Sequence, residues 1–274
     1  MAPFRFHGPL CQTKDWYEDI EDGTMARIGS PLPSVVGNPA AAKPAKRTVA
    51  KGDCAFLNPQ SRGTVHAPKT AFDRLRKSSP KATISKPTNK DSFNWPDGST
   101  SPAIEQEIQI GNQTITVVRP TDDRAKGKNL PTMEQLAEAL RAVPADQRGN
   151  SHTITLSPTA APGSNPDEPT AGDAGDGKIA LYPVKSAQNQ EDFDNRLTHE
   201  SGHNYAEKVW AGPEGVRAWV TAAKSDDRRP SPYAARDGED FPEFLILYNA
   251  AKGTACEATA KAIYPNRWAK MDSY

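Results

Sequence analysis

The stretch LTHESGHN, residues 197–204, places two histidines around a glutamate in the order His-Glu-x-x-His. On an α-helix, side chains four residues apart share a face, with about 6 Å between their β-carbons. His199 and His203 could therefore bind one zinc ion through ring nitrogens, at roughly 2.0–2.1 Å. Glu200 would face a water at the metal, where it could act as a general base. The stretch predicts a helix that carries a metal site of the hydrolytic type.

Apolar residues flank the motif on the side that would face a core. Phe193 and Leu197 precede the histidines, and Tyr205 and Val209 continue the same face after them. Gly202, directly before the second histidine, would let another chain segment or a substrate approach the helix closely. These neighbours favour a core helix with one functional edge over a solvated helix with two histidines.

A catalytic zinc site takes a third protein ligand and leaves its fourth position to water. Glu207 follows the motif, but a further helical turn carries it too far from a metal between the two histidines. Glu239 and Glu243 are the other candidates, one turn apart before the apolar run FLILY. Spacing alone does not choose between them. Pro242 fits only in the first turn of a helix, so Glu239 lies at the helix entrance and is the favoured ligand. Glu243 would then orient a ligating histidine.

Upstream of the motif, β-rich and helical patterns alternate. EIQIGNQTITVVRP predicts a hairpin around residues 111–112, and TMEQLAEALRAV predicts a helix with Pro131 or Thr132 at its start. HTITLSP and KIALYPV favour strands. A helix is expected from about Glu191, and a last helical stretch over roughly residues 241–263. This order predicts an α+β fold, a small mixed sheet in front of the active-site helix and C-terminal helices.

The first third of the chain has a different composition. Residues 43–90 hold twelve basic residues and two acids, Asp53 and Asp73, among Pro, Ser, Thr and Gly. The pattern favours a solvated linker or arm over a basic docking strip, because aromatic residues are too sparse for base stacking. We therefore expect an extended, largely irregular linker or delivery-associated segment over residues 1–100 and a metal-binding domain over residues 101–274.

The whole-chain composition excludes several classes of protein. Lys+Arg and Asp+Glu both number 34 in 274 residues, so the overall charge predicts neither nucleic-acid nor membrane affinity. There is no apolar run of about 18 residues that would span a membrane. The N-terminus lacks the basic and apolar segments of a secretory signal, so export would use another route. Cys11, Cys54 and Cys256 are expected to be free thiols or to form at most one disulfide.

HESGH, SPYA and EDFPEF together resemble the catalytic domain of anthrax lethal factor and related bacterial toxin metallopeptidases, a gluzincin-like group. The resemblance extends over roughly residues 105–274 and implies a zincin-like domain with one zinc ion per chain. The implied zinc ligands are His199, His203 and Glu239. Glu200 would be the base.

The same resemblance implies that Tyr233 donates a hydrogen bond to the oxyanion and that Glu243 supports the ligands. The implied function is a zinc-dependent endopeptidase, a toxin or secreted effector. It would leave the cytoplasm of the producing cell by a non-classical route and act inside a target cell. Its partners would be a protein or peptide substrate and an immunity, inhibitor or delivery protein, with no nucleic acid and no membrane span.

A non-catalytic binding or structural protein with a degenerate or structural zinc site is the alternative. A structural site takes a fourth protein ligand, typically Cys or His. Cys256 is the one nearby cysteine, and its surroundings, GTACEATAKAI, favour a packed helix. His152 begins a strand and is expected at the surface or behind the ligands. Metal content and casein hydrolysis of wild type and Glu200→Gln discriminate between the two hypotheses. A structural site would bind zinc equally in both proteins and cleave nothing.

Two features bear on the substrate. KIALYPV would either present an edge to which an extended peptide adds as another strand, or be a core strand. The loop over residues 159–178 is rich in Gly, Pro and Asp, and its acidic residues hint at basic peptides.

Overall fold

A computed structural model of the protein describes residues 50–60, 63–185 and 189–274. These residues form one mixed sheet and several helices, so the predicted α+β class is confirmed. The expectations for residues 1–49, including Cys11, lie outside the described residues.

Seven strands form a single sheet in the described chain. They are β1 (Ala82–Ile84), β2 (Thr88–Asn94), β3 (Thr100–Ile110), β4 (Gln113–Pro120), β5 (Thr153–Leu156), β6 (Gly172–Gly175) and β7 (Lys178–Leu181). Their spatial order is β1-β3-β4-β5-β7-β6, and β2 also pairs with β3. Strand β5 runs parallel to β4 and β7, and the other pairs are antiparallel. The predicted hairpin at residues 111–112 is confirmed as the β3–β4 turn.

The α-helices of the described residues are α1 (Lys69–Ser78), α2 (Asp122–Ala125), α3 (Met133–Ala142), α4 (Ala145–Arg148), α5 (Gln190–Trp210), α6 (Pro213–Ser225), α7 (Asp240–Ala251), α8 (Glu257–Ile263) and α9 (Pro265–Asp272). Short 3-10 turns occur at Gly52–Leu57 and Tyr233–Ala235. Within the described part of the chain, no helix has the length and apolar character needed to cross a bilayer.

Capping boxes begin the two helices that the sequence predicted most clearly. The side chain of Thr132 accepts the N–H of Gln135, whose side chain in turn accepts the N–H of Thr132. Asn189 and Asp192 form the same reciprocal pair at the start of α5. Each box satisfies two backbone donors that a helix start leaves unpaired, and both predicted helix starts are confirmed.

The predicted last helix over residues 241–263 is broken. Helix α7 ends at Ala251 and α8 begins at Glu257, with Gly253 between them at a φ of 72°. Left-handed backbone of this kind favours glycine and ends a helix. Two packed helices therefore replace one continuous helix.

The prediction that the chain before residue 101 is irregular is wrong for its described part. Residues 50–100 contain α1, β1, β2 and a 3-10 turn. The side chains of Leu57, Val65 and Phe72 are almost fully buried in the helical core. Burying each such side chain stabilises the fold by about 1.5–3 kcal/mol. The boundary expected near residue 100 therefore does not separate irregular from folded chain.

Helix α5 lies between two apolar cores. Leu197 packs with residues of the sheet and α3, whereas Tyr205, Ala206 and Trp210 pack with α6 and α7. The helix is buried on most of its circumference, including several polar side chains. Hydrogen bonds to neighbouring segments fix the side chains of Asp194, Asn195 and Asn204.

Candidate metal centre

Helices α5 and α7 cross in close contact at Gly202. A β-carbon at this glycine would lie 2.8 Å from Cβ and 2.9 Å from Cα of Pro242, nearer than packed carbons approach. Pro242 is in the first turn of α7. Gly202 therefore admits the neighbouring helix, and the crossing brings the start of α7 against the motif.

Three of the predicted site residues converge at this crossing. His199, His203 and Glu239 each offer one ligand atom, and these atoms lie within 4.8 Å of one another. Oε2 of Glu239 is 2.9 Å from Nε2 of His199 and 3.4 Å from Nε2 of His203. The centroids of the two imidazole rings are 5.1 Å apart. The group could hold a metal ion.

Glu243 lies behind His199, outside that group. Its Oε1 is 3.1 Å from Nδ1 of His199. Its Oε2 accepts the N–H of Val65 at 2.6 Å and the hydroxyl of Ser231 at 2.5 Å. These contacts fix the carboxylate so that it orients the imidazole ring. The geometry favours Glu239 over Glu243 as the ligand.

Opposite charges hold the group together. Burial by itself would lower the pKa of His199, but hydrogen bonds to Glu239 and Glu243 raise it to about 10. Burial would raise the pKa of Glu239, but hydrogen bonds from His199 and His203 hold it well below its usual range. The carboxylates that stabilise a proton on His199 would also stabilise a metal cation at the same nitrogen. A metal ion would therefore bind in place of that proton.

Glu200 is 6% exposed and lies against the edge strand β6. A β-carbon at Gly172 would lie 2.2 Å from Oε1 of Glu200, so a side chain at this position would displace the carboxylate. Burial raises the pKa of Glu200, while the nearby charges of His199 and His203 oppose that rise. A carboxyl group with a raised pKa can take up and release a proton closer to neutral pH.

Tyr233 lies on the 3-10 turn that precedes α7. Its hydroxyl donates to Oε1 of Glu239 at 3.3 Å, and its ring centroid is 5.8 Å from that of His199. Burial, followed by the charges of Glu239 and Glu200, raises the pKa of Tyr233 well above its usual value. The phenol is therefore a hydrogen-bond donor at neutral pH.

A cavity of about 400 Å³ opens onto the motif. His199, Glu200, Tyr233 and Glu243 lie in its wall. The rest of the wall comes from residues 63–66, from residues 168–172, from the first half of α5, and from Arg236 and Ile246. A molecule in this cavity would contact the proposed base and one of the possible metal ligands.

Glu207 and His152 lie apart from the group of possible ligands. The carboxylate of Glu207 accepts the backbone N–H of Asp176 at 3.0 Å. His152 is exposed at the start of β5. Both positions agree with the expectation that neither residue is a ligand.

Sequence reasoning did not find several residues that support the site. Val65, Gly172 and Asn195 carry no local signal, because their roles depend on contacts with distant segments. Asn195 of α5 accepts the N–H of Ala67 at 2.7 Å and donates to its carbonyl at 3.1 Å. Ser231 lies within the SPYA segment, but its bond to a glutamate became visible only in the structure.

Comparison with protein-family models, with curated proteins and with solved structures finds no match for this chain.

Proposed function

We propose that the protein is a zinc-dependent endopeptidase with a zincin-like domain. The proposal rests on the convergence of His199, His203 and Glu239, together with the position of His199 and Glu200 in the wall of one cavity. Helix α5 supplies three of these residues, and Glu239 is the N-cap residue of α7. Such a set of groups serves the hydrolysis of a peptide bond.

The donor set fits zinc. Two imidazole nitrogens and one carboxylate are a common ligand set of catalytic zinc sites. The contact of Glu243 with Nδ1 of His199 leaves Nε2 for a metal and fixes the ring. Zinc held by His199, His203 and Glu239 would supply Lewis acidity toward a peptide carbonyl and lower the pKa of water.

Glu200 would take the proton of the attacking water and pass it to the leaving amine. Its burial, its raised pKa and its position in the cavity wall support that role. Tyr233 would donate a hydrogen bond to the developing oxyanion. Its protonated hydroxyl already points to the carboxylate of Glu239.

The substrate would bind along strand β6. Of the two alternatives for KIALYPV, the core strand is confirmed and the edge strand is wrong, because β7 lies between β5 and β6 and the edge strand is β6. Gly172, at the start of β6, borders both the cavity and Glu200. An extended peptide could add to this edge by main-chain hydrogen bonds, which would place a peptide bond beside the base.

A secreted toxin or effector is the proposed setting. The disulfide between Cys54 and Cys256 supports export, because such bonds persist in oxidising compartments. The proposed action inside a target cell and the proposed immunity, inhibitor or delivery partners rest on the resemblance of the motifs alone.

The alternative of a structural metal site needs a fourth protein ligand. Cys256, the one candidate cysteine near the motif, is bonded to Cys54. The cavity that opens onto His199 and Glu200 also favours a reacting site over a closed one.

Replacement of Glu200 by Gln tests the proposal. The variant should bind about as much zinc as wild type and lose about 10²–10⁴-fold of its casein-hydrolysing rate, the usual contribution of general acid–base catalysis. Glu207→Gln is the matched control, because this glutamate lies on the same helix with a pKa also raised by burial. Zinc-loaded wild type that cleaves no peptide would contradict the proposal.

A further inference from the structure

Arg196 is a buried cation in the wall of the cavity. It is 9% exposed, and one of its nitrogens donates to the carbonyl of Tyr182 at 3.2 Å. Its guanidinium also lies 5.7 Å from the ring centroid of Phe193. A guanidinium carries five N–H donors in a fixed fork, so most of its binding capacity is left over.

The other basic side chains of the cavity wall are already paired with carboxylates. Arg236 bonds to Glu168 at 2.8 Å, and His66 faces Glu191 at 3.3 Å. No carboxylate of the described residues makes an ion pair with Arg196. It is therefore, among the described residues in this wall, the cation that has no carboxylate partner.

An unpaired buried charge is costly to the fold. Burial lowers the pKa of Arg196 to about 10, while the charges of Glu200 and Asp192 act in the opposite sense. The side chain remains positively charged at neutral pH. Glu200 and Asp192 act on it through their charges without forming an ion pair, so a carboxylate that bonds directly to the guanidinium would offset more of the cost of its burial.

The position of Arg196 fixes where such an anion would lie. It is four residues before Glu200, which is about 6 Å along the helix. An extended peptide advances about 3.3 Å per residue. The anion would therefore be within about two residues of the bond that is cleaved.

The direction of strand β6 indicates the direction in which a bound peptide would run. Gly172 faces Glu200 and Gly175 faces Glu207, so β6 runs in the same direction as α5. A peptide added antiparallel, the more stable pairing per residue, would run the opposite way. Its residues after the cleaved bond would then extend toward Arg196.

The geometry points to Arg196 as a specificity-determining residue that binds a carboxylate of the substrate one or two residues C-terminal to the cleaved bond. The inference rests on the proposed peptidase function. The planar guanidinium fits a carboxylate through two parallel hydrogen bonds. The carboxylate belongs either to an Asp or Glu side chain or to a free C-terminus. The hint of basic substrates from the acidic loop is weakened, because Glu168 is paired with Arg236.

Matched peptides test the inference with the full-length protein and added Zn²⁺. In the first pair, one peptide has Glu and the other has Gln at both of the two positions that follow the cleaved bond. Both peptides of this pair have an amidated C-terminus. A second pair ends at these positions with a free or an amidated terminus. For each pair, kcat/KM is measured for wild type, Arg196→Gln, Arg196→Lys and Arg236→Gln. Arg236→Gln is the control, because this arginine lines the same cavity and already has a partner.

Wild type should prefer the acidic member of at least one pair by about 10- to 100-fold, the range of a charge-assisted hydrogen bond. Arg196→Gln should abolish that ratio, Arg196→Lys should keep part of it, and Arg236→Gln should leave the ratio unchanged. The first pair reports a side-chain carboxylate and the second a terminal one. Equal rates for acid and amide in wild type, or an equal ratio in Arg196→Gln, would overturn the inference.

A binding measurement separates this inference from the proposed function. The fluorescence anisotropy of labelled peptides is measured with Glu200→Gln, whose arginine is intact. Tighter binding of the acidic peptides, lost in the Glu200→Gln, Arg196→Gln double variant, supports the carboxylate site even if wild type hydrolyses nothing. If the protein hydrolysed acidic and amide peptides at equal rates and bound them equally, the proposed peptidase function would stand and the proposed role of Arg196 would be wrong.

Discussion

Helix α5 and the N-terminal strap meet at the same site but are encoded in different ways. We define the strap as residues 50–60 and 63–67. Helix α5 carries the His-Glu-x-x-His spacing and a capping box in its own sequence. The strap has little regular structure, yet Val65 bonds to Glu243 and Ala67 bonds to Asn195.

The strap is held to the rest of the chain at several points. Cys54 is bonded to Cys256, the carbonyl of Leu57 accepts the hydroxyl of Tyr264 at 3.1 Å, and the N–H of Gln60 donates to Pro230 at 2.9 Å. Helix α5 therefore supplies His199, Glu200 and His203 of the proposed site, whereas the strap holds Glu243 and α5 in place through Val65 and Ala67.

Removal of the first hundred residues should have the largest effect. A chain shortened to residues 101–274 loses the strap, α1, β1 and β2, and with them the buried side chains of Leu57 and Phe72. We expect no cooperative urea transition by circular dichroism, in contrast with the full chain. A cooperative transition together with zinc binding would show that α5 and its neighbours need no strap.

Replacement of Glu239 should affect the metal more than replacement of Glu243. Glu239 belongs to the group that could hold a metal, whereas Glu243 bonds to Nδ1 of His199 and to the strap. We expect Glu239→Ala to lose zinc under mild chelation. Glu243→Ala should keep most of it, with activity about 10–100-fold lower. The opposite order in a zinc-retention titration would move the ligand to Glu243.

Substitution of Gly172 should damage catalysis without removing the metal. The added methyl group would lie 2.2 Å from Oε1 of Glu200, so the carboxylate of the proposed base must move. We expect Gly172→Ala to lower kcat by at least about 10²-fold, the lower range for loss of a general base, at unchanged zinc content. Gly175→Ala on the same strand is the control, since its β-carbon would meet only the tip of Glu207, at 3.3 Å. Equal kcat values for the two variants would contradict the placement of Glu200.

Loss of the disulfide should have the smallest effect on activity. Cys54→Ala with Cys256→Ala removes the link between the strap and α8 but leaves the hydrogen bonds at Glu243. We expect the free energy of unfolding in urea to fall by about 2–4 kcal/mol, with little change in kcat at low temperature. Cys11→Ala in all samples prevents disulfide exchange, and a reductant should destabilise only the protein that retains Cys54 and Cys256. An unchanged transition would mean that the hydrogen bonds alone hold the strap.

The sequence by itself determined the features that depend on neighbouring residues. The spacing of His199 and His203, the capping of α3 and α5, and the β3–β4 hairpin all follow from local periodicity and turn chemistry. The same local logic placed Pro242 in the first turn of α7 and thereby favoured Glu239.

Tertiary structure alone decided what distant segments do to one another. Val65 is 178 residues from Glu243, and Gly172 precedes Glu200 by a loop, a strand and half a helix. No periodicity links such pairs, because their contact arises from the burial of separate apolar faces in a common core. For the same reason the edge position of β6, the folded state of residues 63–100 and the unpaired charge of Arg196 became visible only in three dimensions.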